Sequence, residues 1–133
     1  MRASLAPNTG KNGHMRRLFT IDEARELLPQ VQAAGSEVVE LRARLVDATH
    51  RQQAGDDTVS LADVKAEEAR LSEILDGLAA CGIQVKGFAP LLLDFPALVD
   101  GREVLLCWLE GEATLAWYHA PEHGFAGRRR LRA

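Results

Sequence analysis

Residues 102–119 read REVLLCWLEGEATLAWYH, two apolar segments on either side of the triplet Glu110-Gly111-Glu112. Apolar and aromatic residues interrupted once by glycine are typical of two antiparallel strands joined by a tight turn. If the strands pair across Glu110-Gly111, Arg102 stands opposite His119. The stretch therefore predicts a β-hairpin whose open end carries Arg102 and His119.

Further short strands are predicted upstream of this hairpin. Five glycines and prolines interrupt residues 82–101, and the apolar segments 83–86 and 91–95 between them have the length of strands. We expect a β-meander over residues 83–119, which forms a small antiparallel sheet of three to four strands. A C-terminal loop is predicted to follow over residues 120–131.

Before residue 82 the apolar residues recur with the period of a helix. Thr20 followed by Glu23 matches a capping box, and apolar or small residues then repeat every three or four positions. Ser60 begins a second segment of this kind, which ends near Gly82. The two segments predict a long antiparallel helical hairpin over residues 21–81, resembling a two-stranded coiled coil. The predicted fold class is α+β.

Length and composition indicate one domain. A chain of 133 residues with 47% hydrophobic content can bury a single core. We predict one α+β domain over residues 18–131, preceded by a disordered basic N-terminal extension over residues 1–17. The apolar runs are far shorter than the roughly 20 residues that span a bilayer, and residues 1–13 lack the apolar core of a signal peptide. A cytoplasmic location without membrane association is therefore expected.

The charge distribution argues against a nucleic-acid function. Residues 1–17 and residues 128–133 each carry four basic and no acidic residues; removing these eight from the net charge of −3 leaves residues 18–127 at −11. An acidic body repels phosphate, so contact with nucleic acid would have to come from the two short basic ends.

Polar residues gather at the open end of the predicted hairpin. Asp94, Arg102, His119 and Arg128 are the candidate ligand-binding residues, because short loops can bring them together. In one interpretation His119 acts as acid or base, Asp94 orients it, and the two arginines hold an anionic group. In the other, these residues form ordinary structural ion pairs.

A metal site is a third interpretation of the same end. His119, His123 and Asp94, with Glu122 nearby, offer donor atoms that suit zinc or iron. Cys107 is expected to take no part, because the predicted pairing puts it on the opposite face of the hairpin and about 16 Å along the strand from His119. Neither cysteine lies in a Cys-x-x-Cys pair, so both are expected to be reduced, structural thiols.

Both faces of the predicted hairpin carry apolar side chains, so both need cover. Helices can cover one face, and we expect a second copy of the chain to cover part of the other face or of the helical hairpin. The sequence thus favours a non-catalytic homodimeric interaction or scaffolding module, with a further protein partner left open. The alternative is a small-ligand or metal-binding protein or enzyme with its site around His119. The chain contains no glycine-rich nucleotide loop, Gly-x-Ser-x-Gly or His-Glu-x-x-His motif.

Several short motifs occur in a fixed order along the chain. The order begins with Phe19-Thr20 and continues through the segments 93–96, 100–104, 106–108 and 124–128. This series resembles the bacterial domain-of-unknown-function family 2203, over Arg17 to Leu131. The resemblance implies membership of that family and no particular activity.

Overall fold

The computed structural model describes residues 17–132. Its first helix, α1, spans Ile21–Gln53, and its second helix, α2, spans Leu61–Ala80. Of the predicted N-terminal extension only Arg17 falls within the described residues. The disorder predicted for residues 1–16 therefore lies outside them and stays a prediction.

Both helices begin at their predicted caps. Thr20 Oγ1 accepts a hydrogen bond from Glu23 N at 3.0 Å, and Glu23 Oε1 accepts one from Thr20 N at 2.9 Å. At the second helix Ser60 Oγ accepts from Asp63 N at 3.1 Å. These bonds satisfy amide groups that the start of a helix leaves without intrahelical partners. After α2, Gly82 adopts a positive φ of 89°, as expected for the residue that ends a helix.

The two helices run antiparallel, as predicted. Arg70 donates two hydrogen bonds to the carboxylate of Glu37, at 2.7 and 2.8 Å, and Arg44 lies 3.8 Å from Glu67. Residue numbers thus rise along α1 where they fall along α2, so the helices are antiparallel. Within the described residues, neither helix is long and apolar enough to cross a membrane.

The strands form one antiparallel sheet whose order follows the chain. They are β1 (Gln84–Phe88), β2 (Leu91–Val99), β3 (Arg102–Leu109), β4 (Trp117–His119) and β5 (Arg129–Arg130). The α+β fold class is confirmed. The sheet has five strands in the described residues rather than three to four, because β5 forms within the predicted C-terminal loop.

A two-residue turn sets the register between β2 and β3. Asp100 and Gly101 have positive φ values of 51° and 76°, the combination that a tight hairpin turn requires. Val99 therefore stands directly opposite Arg102, the first of eight consecutive pairs. In this register Asp94 of β2 is the direct partner of Cys107 of β3.

The helices cover one face of the sheet and build the core there. Alternate residues of β2 and β3 point into it, including Phe95, Leu106 and Trp108. Gly35 of α1 lies against the Trp108 indole, since a Cβ at that position would come within 3.2 Å of Trp108 Cη2. The helical contribution to the core comes mainly from Ala24, Leu28, Val31, Ala34, Val38, Leu41, Ile74 and Leu78.

The predicted pairing between the last two long strands is wrong. β4 begins only at Trp117, which stands opposite Cys107, and His119 stands opposite Leu105 rather than Arg102. The observed register differs from the predicted one by three residues. Because neighbouring residues point to opposite faces, an odd shift moves every side chain of β4 to the other face of the sheet.

A tight turn forms at Glu110-Gly111, where Glu112 N donates to Leu109 O at 2.9 Å, but strand pairing does not resume directly after it. The reason for the shift lies in residues 112–116, which leave the sheet. Their carbonyl groups accept hydrogen bonds from side chains: the Trp108 indole donates to Glu112 O at 2.9 Å, and Arg25 of α1 donates to Leu115 O at 3.2 Å. Gln32 of α1 donates to the carbonyls of residues 112 and 113. These bonds from α1 fix the loop outside the sheet. As a result β4 begins only at Trp117.

The sheet face turned away from the helices is covered near its centre by the chain itself. Leu105 and Cys107, two of the three apolar β3 residues on that face, are 6% and 0% exposed in the single chain, and the third, Leu109, is half-buried. The need for a second copy over Leu105 and Cys107 is therefore removed, and the dimer itself stays a prediction.

Candidate metal centre

Three neighbouring strands bring a carboxylate, a thiol and an imidazole together on the face turned away from the helices. Asp94 of β2 pairs with Cys107 of β3, which pairs with Trp117 of β4. His119 lies two residues after Trp117 and so points to the same face. Asp94 and His119 are 2% and 3% exposed. In the described part of the chain, these two are the polar or charged residues that are buried.

Both ring nitrogens of His119 face hydrogen-bond acceptors. Nδ1 lies 2.8 Å from the carbonyl oxygen of Ala120, and Nε2 lies 3.1 Å from Asp94 Oδ2. A carbonyl oxygen only accepts, so Nδ1 carries the proton. In the neutral imidazole Nε2 then presents a lone pair to a carboxylate oxygen. Such an approach requires either a further proton or a cation between the two atoms.

The carbonyl of Ala120 is itself fixed in place. It accepts a second hydrogen bond, from the backbone N–H of His123, at 3.0 Å. Histidines that bind metals commonly donate their second ring N–H to a backbone carbonyl, which sets the tautomer and the orientation of the ring. His119 already has this arrangement.

Cys107 supplies the third donor atom. Its thiol is buried, and burial together with the nearby Asp94 carboxylate raises its pKa from 9.0 to about 12. A thiol in such surroundings is inert as a free nucleophile at neutral pH. The group is therefore poorly suited to cysteine-type nucleophilic catalysis.

The three side chains are close enough to share one ion. Donor atoms from Asp94, Cys107 and His119 all lie within 4.8 Å of one another. Ligand atoms around a tetrahedral zinc ion are separated by roughly 3.3–3.6 Å, as follows from bond lengths of about 2.0–2.3 Å. The widest separation in the group thus exceeds that spacing by little more than about 1 Å.

An arginine lies beside this group. Arg128 Nη2 donates to both carboxylate oxygens of Glu112, at 2.7 and 2.8 Å, and lies 3.5 Å from the carbonyl oxygen of Cys107. The guanidinium carbon lies 4.8 Å from the ring centre of Trp117 and 4.7 Å from that of Phe125. An ion pair and two cation–π contacts therefore hold Arg128 in a single orientation.

Two buried polar atoms near the group have no hydrogen-bond partner. They are Asp94 Oδ1 and Arg128 Nε, the buried side-chain nitrogen and oxygen atoms that lack a partner within the described residues. A buried polar group without a partner costs about 1–3 kcal/mol, and more when it is charged. Both atoms belong to side chains that border Cys107, one through strand pairing and one through its carbonyl oxygen.

The structure separates the residues that the sequence placed at one site. Asp94 and His119 come together, and Arg128 lies next to them, engaged with Glu112. Arg102 is exposed and starts β3 three residues before Leu105, the residue opposite His119, or about 10 Å along the strand. The predicted contact between Arg102 and His119 is therefore absent.

His123 and Glu122 are exposed and do not belong to the group of three donors. Cys107 takes the place expected for His123, against the sequence-based expectation. One signal in the sequence pointed to it: the Asp100-Gly101 pair predicts a two-residue turn. Counting outward from that turn pairs Asp94, the charged residue of an otherwise apolar strand, with Cys107.

Comparison with known proteins identifies a family. A family model described as "Uncharacterized conserved protein (DUF2203)" matches residues 17–131, most of the chain. Searches of curated proteins and of solved structures found no match. Because the matched region includes both helices and all five strands, the chain belongs to the uncharacterized conserved family DUF2203.

Proposed function

We propose that the protein binds a divalent transition-metal ion through Asp94, Cys107 Sγ and His119 Nε2. The observation that carries this proposal is the close approach of three buried donor atoms, one of them on a histidine whose other nitrogen already donates to a backbone carbonyl. Together they form a set of ligands in which a backbone hydrogen bond already orients the imidazole.

The donor set favours zinc, with iron as the second choice. Thiolate, imidazole and carboxylate are all established zinc ligands, and thiolate disfavours hard ions such as magnesium or calcium. Charge supports a divalent ion. The Asp94 carboxylate and a Cys107 thiolate contribute two negative charges, which one divalent cation neutralises, so that a buried centre carries no net charge.

A metal ion at this position would link three strands. Its ligands come from β2, β3 and β4, and the last of these has only three residues, Trp117–His119. A short strand contributes few hydrogen bonds, so a metal–histidine bond would anchor it firmly. Stabilisation of the sheet is therefore a direct consequence of the proposed binding.

The cytoplasm remains the proposed location. Neither Cys81 nor Cys107 forms a disulfide, and both are buried. A reducing compartment keeps thiols available as metal ligands, whereas an oxidising one would expose them to oxidation during folding.

Elemental mass spectrometry of the purified protein tests the proposal. We expect about one zinc or iron per chain after loading and removal of excess metal. Cys107→Ser and His119→Ala should abolish stoichiometric binding. Cys81→Ser is the matched control, because Cys81 is equally buried but lies at the end of α2, outside the group of donors.

His123→Ala is a second control, because it removes an exposed imidazole from the neighbouring loop. Loss of metal in the His119 variant but not in the His123 variant would support the assignment. A wild-type protein that stays metal-free after exposure to zinc and iron, or a Cys107→Ser variant that keeps full metal content, would refute it.

A homodimeric interaction module is the second candidate function. Its support lies at the far end of the helical hairpin. The last buried residue of α1 is Leu41, and beyond it Val46 is 54% exposed; Leu61 at the start of α2 is 64% exposed. Large exposed apolar side chains on a helical arm are typical of interaction surfaces. Light scattering at micromolar concentration tests this proposal, and a strictly monomeric species would exclude a stable homodimer.

A further inference from the structure

We propose that the metal ion has an exchangeable fourth position that accepts a small anion, and that the Nε–H of Arg128 holds this anion. The inference rests on the proposed metal function and extends it from the protein ligands to the exogenous one. Sites with three protein ligands keep one coordination position for water or substrate.

The first support is that Arg128 has an unused donor. Its Nη2 is engaged with the carboxylate of Glu112, while Nε is buried and has no partner. The side chain is only 11% exposed. A guanidinium N–H in this setting requires an acceptor, and the described residues provide none.

The second support is that the orientation of Arg128 is fixed before any ligand binds. Trp117 and Phe125 contact the guanidinium group, and Glu112 holds it from one end. Glu112 is held in turn, because its Oε1 accepts a hydrogen bond from Leu109 N at 2.7 Å. A ligand that meets Arg128 therefore encounters a prearranged donor, which lowers the entropic cost of binding.

The third support is a second buried atom without a partner. Asp94 Oδ1 is a buried acceptor without a partner, and Asp94 Oδ2 is the oxygen nearest His119. A water at the fourth position would donate to Asp94 Oδ1, and a small anion in its place would accept from Arg128 Nε. The burial of all three protein ligands restricts the exogenous ligand to a few atoms. Azide and thiocyanate are suitable probes of this class.

Cobalt(II) in place of zinc makes the test direct. The full chain is loaded with cobalt(II), and its visible and near-ultraviolet absorption is recorded during titration with azide and with thiocyanate. A sulfur-to-cobalt charge-transfer band reports the bond to Cys107, and the ligand-field bands report the fourth position. We expect saturable changes in the ligand-field bands while the charge-transfer band persists.

Two variants assign the effect to Arg128. Arg128→Gln and Arg128→Lys should weaken azide binding roughly tenfold or more, the effect of losing one hydrogen bond from a charged donor. Arg130→Gln is the matched control. Arg130 also contacts Trp117, at 5.6 Å from the ring centre, but it is exposed and is not among the groups that affect the Cys107 thiol. Its azide affinity should match that of the wild type.

The outcomes separate the two proposals. If cobalt binds with its sulfur band but azide and thiocyanate leave the ligand-field bands unchanged, the exchangeable position is refuted and the metal site stands. If azide binds equally well to wild type and to both folded Arg128 variants, the role of Arg128 is refuted. If no cobalt binds, both proposals fail.

Discussion

His119 Nε2 lies 3.1 Å from Asp94 Oδ2, although the two residues belong to strands that do not pair with each other. β3 runs between them and contributes Cys107 to the same group. The short distance therefore depends on two strand registers at once. A change of one residue in either register would turn one of these side chains to the opposite face.

Metal loading should raise the thermal stability of the protein. A ligand that binds only the folded state adds about 4 kcal/mol when its free concentration is a thousand times its dissociation constant. We expect an increase in melting temperature of several degrees with zinc, measured by calorimetry, and its reversal by a chelator. Cys107→Ser should show no increase, whereas Cys81→Ser should respond like the wild type. An equal zinc response in both variants would contradict the assignment.

Removing the imidazole of His119 should destabilise even the metal-free protein. His119→Ala leaves the buried Asp94 carboxylate without its nearest partner, and a buried polar group without a partner costs about 1–3 kcal/mol. His123→Ala, at an exposed position, should stay within about 0.5 kcal/mol of the wild type. Urea unfolding of both variants measures the difference. Similar values for the two would mean that the Asp94–His119 contact contributes little.

The sequence predicted the helical part of the fold well, because local chemistry determines it: Thr20, Ser60 and Gly82 act within one helical turn. The register between β2 and β3 was not predicted, although the Asp100-Gly101 turn is a local signal for it. The register of β4 depends instead on bonds from α1 to the loop 112–116. Such bonds join residues 80 or more positions apart, and no local pattern reveals them.

The candidate site was predicted in part for the same reason. Asp94 and His119 were both identified, since a carboxylate and an imidazole among apolar residues stand out in the sequence. Cys107 was excluded only because the predicted hairpin register put it on the wrong face. Arg102 was included through the same error. One wrong register, that of β4 against β3, thus accounts for both mistakes.

Two glycines in the helices should respond to alanine in opposite ways. At Gly77 in α2 an added Cβ meets nothing within 4 Å, so Gly77→Ala should stabilise the protein by about 0.5–1 kcal/mol through helix propensity. At Gly35 the Cβ would approach Trp108, whose indole is buried and donates to Glu112 O. Overpacking costs about 1–3 kcal/mol, so Gly35→Ala should be net destabilising.

Urea unfolding of both alanine variants checks the helix–sheet packing. A Gly35→Ala protein as stable as Gly77→Ala would show that α1 is able to move away from the sheet without loss, contrary to the packing seen around Trp108.

Glu110 should make stability depend on pH in the acid range. Two hydrogen bonds from Arg42, at 2.8 and 2.9 Å, and one from Leu91 N, at 2.9 Å, lower the pKa of Glu110 from 4.5 to about 2. The folded state thus binds the proton less readily than the unfolded state. The stabilisation is fully present above the unfolded value near 4.5 and is lost as the pH falls towards the folded value of about 2.

Glu110→Gln measures this contribution. At pH 7 the variant should be less stable than the wild type by about 1–3 kcal/mol, because it loses bonds to a charged donor. The difference should shrink steadily as the pH is lowered below 4.5. A difference that stays constant down to the acid limit of folding would show that the Arg42–Glu110 pair does not depend on ionisation.

X-ray absorption at the zinc edge of the loaded protein tests the metal centre most directly. We predict one sulfur neighbour at about 2.3 Å, from Cys107, and nitrogen or oxygen neighbours at about 2.0–2.2 Å, from His119, Asp94 and the fourth ligand. The sulfur should disappear in Cys107→Ser and persist in Cys81→Ser. A zinc ion with no sulfur neighbour, or with a sulfur that survives the loss of Cys107, would contradict the proposed centre.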